Sequence, residues 1–234
     1  MQAWLSHLKK LRIDSKYRKE CKSVFITGTK AIRAYPWKPI KTGCTQNYHR
    51  KHNPHVDHIL NPSLFSQAVG ESTPEGIVWE VPIPTLPFPS SMKRLLVLDR
   101  VQDPGNTGTL IRTADAFGWD GVVCVGGADP FNINTLRAAK GSCFRIPAKC
   151  VSFDQMKALA QGLDFVLACP NPNYSSKFAK SENVALVLGS EGQGISDCYM
   201  GLNANSISIK TKTESLNVAV AGGILMHEIG KSVA

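Results

Sequence analysis

At 234 residues, 43% hydrophobic and 8% aromatic, the chain is long enough for one large or two small globular domains and too apolar to remain disordered. No apolar run approaches the ~18–20 residues that span a bilayer, which excludes an ordinary helical membrane protein. The net charge of +9 is concentrated: residues 1–50 hold twelve Lys and Arg against two acids, Asp14 and Glu20, so this block carries +10 and the other 184 residues sum to −1.

In chain order, a short strand is expected at residues 24–27, running into a helix over 29–35. Residues 36–54 are polar and take no clear assignment. His49, His52, His55 and His58 recur at a spacing of three with Cys44 nearby, but Pro54 interrupts any helix that would align them and no second cysteine pair completes a zinc site. A polar loop that approaches phosphates is the better reading, and no metal is expected. Residues 81–91 contain four prolines, which suit neither a helix nor a central strand and read as a linker. The expected division is therefore an N-terminal domain over 1–84, a linker over 85–92 and a second domain over 93–234.

Beyond the linker, strands are expected at 94–99, 122–127, 165–169, 184–188 and 206–209, with helices at 107–117, 134–140, 153–161 and 216–229. The strands are mostly continuous apolar runs, as in a parallel sheet covered on both faces, and the fold class is α/β. No period of 20–50 residues repeats. The seven cysteines are odd in number and scattered, pointing to reduced thiols in an intracellular, reducing compartment. The basic N-terminal block suggests an anionic partner, nucleic acid first; a solvated basic face and an organelle-targeting segment are the alternatives.

Three segments carry the chemistry. In the first, Asp103-Pro104-Gly105 forms a turn, Asn106 and Thr107 offer capping oxygens, and Gly118 closes the helix. Leu110, Ala114 and Phe117 share one helix face, leaving Arg112 and Asp115 on the other. The glycines do not follow G-x-G-x-x-G, and no phosphate-loop lysine follows. In the second, a buried strand ends at Leu188 and leads into Gly189, Ser190, Glu191, Gly192 and Gly194, where glycines expose backbone to a ligand. In the third, a strand containing Ile207 and Ile209 precedes a helix capped by Ser215. Its Ala219, Ala221, Gly222 and Gly223 suit either ordinary close packing or a subunit interface.

Taken in order, Asn106-x-Gly108-x-x-x-Arg112, Leu188-Gly189-x-Glu191-Gly192-x-Gly194 and Ser215-Leu216-Asn217-Val218-Ala219-Val220-Ala221 resemble the three motifs of the SpoU (TrmH-like) RNA ribose 2′-O-methyltransferases of the SPOUT superfamily. The resemblance is close over 93–230. Residues 1–84 resemble the family's ribosomal-protein-like α/β substrate-binding domain, which explains the basic N-terminus as RNA-facing. One departure stands out: the third motif usually opens Ile-Pro-Met-x-Gly, and here reads Ile207-Ser208-Ile209-Lys210-Thr211.

The resemblance implies a SPOUT fold whose C-terminal segment is threaded into a trefoil knot, an exception to the usual absence of knots. It further implies a homodimer formed through the C-terminal helices, with S-adenosyl-L-methionine as cofactor. The cofactor would be held around Leu188, Gly189, Ser190, Glu191, Gly192, Gly194, Ile207, Ile209, Ser215, Leu216 and Asn217. Arg112 would act on the ribose hydroxyl, and Asn106 and Asn217 would orient Arg112 or the ribose. Glu191 would order the cofactor side or hold the loop, and Ser215 would cap the last helix and shape the pocket. Large-subunit rRNA is the expected substrate, with tRNA as runner-up; cytoplasmic and organellar locations both remain open. Two rival readings are an RNA-binding SPOUT dimer without catalysis and a Rossmann-type nucleotide enzyme, the latter opposed by the missing glycine fingerprint.

Overall fold

The computed structural model describes residues 1–169 and 182–231. Among them, four strands precede the proline-rich stretch and six follow it, in two separate sheets. The first part runs α1 (Gln2–Ile13), α2 (Ser15–Cys21), β1 (Ser23–Thr27), α3 (Thr29–Ala34), β2 (Lys41–Thr45), α4 (Gln46–His52), β3 (His58–Leu60), α5 (Pro62–Val69) and β4 (Ile77–Pro82). Its sheet order is β1-β4-β2-β3, with β4 antiparallel to both neighbours and β2 parallel to β3. Strand alternation serves two cores at once. Phe25 and Val78 pack with Trp4, Leu8, Leu11 and Phe65 from α1 and α5, while Val24, Ile26, Ile77 and Val81 face the second half of the molecule.

Residues 36–54, unassigned from sequence, supply β2 and all of α4. Thr45 caps α4 by accepting from the Tyr48 N–H, and the helix ends at Asn53 in the left-handed region at φ 44. His49 and His52 thus lie on a helix and His58 on a strand. Among the described residues, no three His, Cys, Asp or Glu side chains converge to hold a metal ion.

The second part runs β5 (Arg94–Asp99), α6 (Pro104–Ala116), β6 (Gly121–Val125), α7 (Ile133–Ala139), β7 (Ala148–Cys150), α8 (Phe153–Leu159), β8 (Asp164–Ala168), β9 (Val184–Leu188), β10 (Ala204–Ile207) and α9 (Val218–Lys231). All six strands are parallel, in the order β10-β8-β9-β5-β6-β7. Leu96 and Leu98 point toward α6, α7 and α9, and Leu95 and Val97 toward Met156 of α8, so both faces are covered as the apolar runs predict. The short strand β7 escapes a sequence reading because only Ala148 of its three residues is buried.

Two predicted helix starts require correction. Helix α6 begins at Pro104, with Asp103 accepting from the Asn106 N–H. Proline is well suited to the first helical position, so Asn106 and Thr107 lie inside the helix and do not cap it. Helix α9 is capped by Asn217, whose Oδ1 accepts from the N–H groups of Ala219 and Val220 at 2.9 and 3.3 Å; Ser215 lies two residues upstream. Gly118 follows α6 with φ 66, as expected of a glycine that closes a helix.

A single apolar cluster passes through both parts, from Val24 and Tyr35 to Leu136 and Phe144. The junction is also tied by charge: Arg18, buried, binds Asp129 at 2.7 Å, and Arg137 reaches Glu71 and the Val69 carbonyl.

Candidate active site

The carboxyl ends of β5, β9 and β10 carry the loops that hold the three motifs, the usual place for a ligand in an open parallel sheet. After β9 the chain closes on itself: the N–H and carbonyl of Ser190 pair with those of Gly194 at 3.1 and 2.9 Å. A Cβ on Gly189 would lie 2.3 Å from the Gly194 carbonyl carbon and 2.4 Å from the Ile195 nitrogen, so only glycine permits this turn. Gly194 lies at φ 68. Glu191, Gly192 and Gln193 are left exposed at the tip.

Residues that the motifs did not flag anchor this loop. Asp99, 1% exposed at the end of β5, accepts from the Ser196 N–H at 2.6 Å and from its hydroxyl at 2.7 Å. Arg100, in the left-handed region at φ 55, donates to the Gln193 side chain at 2.9 Å. The sequence signal was a carboxylate closing an otherwise apolar strand; a group so buried needs hydrogen-bond partners.

The three motifs meet at Asn106. Its Nδ2 donates to Glu191 Oε1 at 2.7 Å, and its Oδ1 accepts from Asn217 Nδ2 at 3.1 Å. The amide orientations follow from chemistry: an ionised carboxylate only accepts, so Asn106 presents its nitrogen to Glu191 and its oxygen to Asn217. Asn217 in turn points its own oxygen at the start of α9. One chain of hydrogen bonds therefore locks the loop after β9, the first turn of α6 and the start of α9.

Of the two roles expected of Asn106 and Asn217, orienting Arg112 or orienting the ribose, the first is not made by a hydrogen bond to Arg112. Arg112 is exposed on α6 and, among the described residues, forms no hydrogen bond or ion pair. Asn106, Asn217 and Glu191 orient one another. Leu188 and Ile207 are buried at their strand ends, Ile209 and Leu216 are half-buried, and Ser215 is exposed. In the loop where the usual proline and glycine are absent, the Thr211 hydroxyl donates to the Thr213 carbonyl at 2.6 Å, and the Thr213 hydroxyl to that of Ser215 at 3.3 Å.

Of the small residues of α9, Gly222 serves the chain's own core. A Cβ on Gly222 would meet Leu110 Cδ2 at 2.4 Å and Leu188 Cδ1 at 2.6 Å, so this glycine lets α9 settle on α6 and β9. The outward face of α9 carries Val220 and Ile224, both exposed, and His227, which stacks on exposed Phe117 at 5.5 Å.

The model of the SpoU rRNA Methylase family matches residues 93–227, which contain every element of this site. The chain belongs to the SpoU rRNA Methylase family. It is 38% identical over 180 residues to the 23S rRNA (guanosine(2553)-2′-O)-methyltransferase RlmP of Bacillus subtilis, covering 74% of this chain and 71% of that one. Among solved structures, an AdoMet-bound rRNA methyltransferase from Sinorhizobium meliloti aligns with a TM-score of 0.81 and 25% identity, covering 99% of this chain and 95% of that one. The SpoU methyltransferase AviRb from Streptomyces viridochromogenes, in complex with AdoMet, aligns at 0.83 with 22% identity over 98% of this chain and 97% of that one. At that identity the second likeness speaks for the fold: the parallel sheet flanked by helices is that of SpoU methyltransferases.

Proposed function

We propose that this SpoU-family protein is an S-adenosyl-L-methionine-dependent RNA methyltransferase that methylates a ribose 2′-hydroxyl in large-subunit rRNA. The observation that carries this reading is the joint of Glu191, Asn106 and Asn217, which gathers three distant motifs on the helix that also bears Arg112, a guanidinium without a partner among the described residues. The rRNA target is favoured by RlmP and by the 23S rRNA (adenosine(1067)-2′-O)-methyltransferase of Streptomyces azureus, 32% identical over 143 residues.

The residues present suit the cofactor. The turn over 189–194 exposes backbone amides and carbonyls with no side chain at Gly192 or Gly194 to cover them. Ile207, Ile209 and Leu216 offer apolar surface beside it, and Glu191 supplies a carboxylate compatible with a cation. Leu188, Gly189, Ser190 and Ser215 complete the proposed cradle. When bound, the cofactor supplies an electrophilic sulfonium methyl whose departure leaves a neutral thioether.

The protein's own work is positioning and charge. An alcohol is a weak nucleophile and must lose its proton as the new O–C bond forms. A guanidinium with a pKa above ~12 is a poor base, so Arg112 acts by holding the hydroxyl and stabilising the charge that develops on its oxygen. The proton passes to water or an RNA phosphate. Asn106 and Asn217 are positioning residues: they fix Glu191 and the two loops against α6.

Residues 1–84 form the RNA-binding domain in this reading, joined by the 85–92 linker to a catalytic domain over 93–234 that contains the trefoil knot. The exposed strip of Phe117, Val220, Ile224 and His227 is the surface through which two copies pair. All seven cysteines are free, in keeping with a reducing intracellular compartment. Among the described residues, no helix is long and apolar enough to cross a membrane.

The direct test is incubation with methyl-labelled S-adenosylmethionine and large-subunit rRNA, followed by mapping of 2′-O-methyl ribose. Transfer to a single ribose supports the proposal; label on a base, or none on any RNA, overturns it. The altered segment from Ser208 to Thr211 favours one second reading, an RNA-binding dimer without catalysis. Titration calorimetry separates the two, because such a protein would bind RNA and release no heat with the cofactor.

A further inference from the structure

A cavity of about 510 Å³ lies in the N-terminal part, far in sequence from the three motifs, among Thr29, Thr45, Tyr48, Lys51, His52 and Glu75. Its floor is built with little freedom. The Thr45 N–H donates to the Gly76 carbonyl at 2.7 Å, and a Cβ on Gly76, at φ 93, would lie 2.6 Å from the Thr45 hydroxyl. Tyr48 presents a half-buried ring on one wall, paired with the His52 ring at 4.4 Å. Opposite, Glu75 Oε2 accepts from the Thr29 N–H at 2.8 Å and from its hydroxyl at 3.0 Å. Those bonds, the backbone one most, hold its carboxyl below the ordinary range, with Lys30 and Lys140 adding to the effect. Glu75 is therefore an ionised acceptor, and its Oε1 takes no hydrogen bond from the described residues.

Positive charge rims the cavity. Lys51 lines it, Lys30 and Lys140 lie near Glu75, and Arg33 lies near the Tyr48 hydroxyl. Lys140 comes from the catalytic half, where Gly141 packs directly on Ala34 of α3. From there Arg145 binds Asp115 at 2.6 Å, and Asp115 lies one turn from Arg112 on α6. Lys140 beside Glu75 and the Arg145–Asp115 ion pair on α6 thus lie on the catalytic side of the junction, and α6 is the helix that bears Arg112. An aromatic wall, a carboxylate and a cationic rim are the parts that take a base out of single-stranded RNA: the ring stacks, the carboxylate reads an N–H edge and the cations meet phosphate.

We infer that this cavity is a second RNA subsite, which receives one unpaired base of the substrate, stacked on Tyr48 and read by Glu75, while Arg112 engages the ribose to be methylated. This rests on the RNA-methyltransferase reading and adds a specificity element to it. Guanine is the base that fits best, because its N1–H and exocyclic amine offer two adjacent donors to the two acceptor sites left on Glu75 Oε1, Oε2 being taken up by Thr29.

The test uses the whole protein and fluorescein-labelled hexaribonucleotides, U6 and the same oligomer with one central guanosine, read by anisotropy. The wild type is expected to bind the guanosine oligomer several-fold more tightly. Tyr48→Leu should weaken binding of both by about tenfold, the loss of one base stack, and Tyr48→Phe should keep it. Glu75→Gln should remove the guanosine preference and leave U6 binding intact. Equal binding of the two oligomers by the wild type, or an unchanged Tyr48→Leu, overturns the subsite. So does GMP competing as well as the hexamer, which would make the cavity a mononucleotide site. The pair Lys30→Ala and Lys51→Ala separates the two levels: if it weakens U6 binding while the Tyr48 and Glu75 variants behave as wild type, the RNA surface stands and the base subsite falls. If no N-terminal variant alters binding, RNA recognition by residues 1–84 falls with it.

Discussion

Arg112 and Asn217 show how differently two residues of one site are constrained. Arg112 is exposed and unpartnered among the described residues, so its removal leaves no buried group unpaired. Arg112→Ala is expected to melt within a degree or two of the wild type and to bind cofactor normally in calorimetry. Its kcat should fall by roughly 10²–10³-fold, the scale of losing one preorganised charge stabiliser. Asn217 has two duties, capping α9 with its oxygen and holding Asn106 with its nitrogen. Asn217→Ala should cost about 1 kcal/mol in urea unfolding, as cap losses do. Asn217→Asp keeps the capping acceptor but has no N–H for Asn106, so stability should stay near wild type while methyl transfer drops. Wild-type transfer in that variant would show that the Asn106 contact is idle. The three motif residues were legible in the sequence; their partners were not. Asn106 looked like a cap, and its true contacts lie 85 and 111 residues away.

At the scale of elements, periodicity was a good guide in the parallel sheet of the second half, whereas the buried α1, α5 and β4 of the first half received no assignment. The strand at 94–99 and the one at 184–188 appear with those bounds, because an apolar run covered on both faces has one plausible role. Residues 36–54 failed for the opposite reason. Strand β2 buries only part of its length, and α4 has no buried residue at all, so no hydrophobic pattern marks them. The glycines of α9 also needed the structure, since the sequence could not say which neighbour they admit. Gly222→Ala places a methyl group between Leu110 and Leu188. Overpacking of this kind costs typically 1–3 kcal/mol, readable as a lower urea midpoint at unchanged slope. If Gly222→Ala instead left stability untouched and separated two copies in sedimentation, its role would lie in pairing after all.

Across the whole molecule, two sheets separated by a proline-rich stretch share one core and a charged seam. Arg18 is 3% exposed and depends on Asp129, so Asp129→Ala leaves a buried cation without its partner. A loss of about 3 kcal/mol is expected from calorimetric melting, and a shift under half of that would show that the seam is well hydrated. The same junction should titrate at high pH. Tyr35, whose ring meets Phe144 edge-on at 5.0 Å, is pushed up to about 12 by burial. Burial likewise pushes Cys143 up to about 12 from an ordinary 9.0. Each group ionises more readily in the unfolded chain, so the folded state keeps its full advantage below pH 9 and loses it as pH rises toward 12. Unfolding free energy should be flat to about pH 9, decline as free Cys143 ionises, and decline more steeply above 10. In Cys143→Ala the decline between pH 9 and 10 should become shallower and not vanish, because Cys44, Cys124 and Cys169 are raised as well; an unchanged slope would assign the loss to those groups.

Taken by itself, the amino-acid sequence determined the α/β class and the identity of the motif residues, because burial period, turn chemistry and residue type are short-range properties. It did not determine which of those residues touch. That Asn106 binds Glu191 and Asn217, that Asp99 anchors Ser196, and that Arg112 is left free all depend on which strand ends lie side by side. Strand order is a matter of long-range packing, and only the tertiary structure decided it.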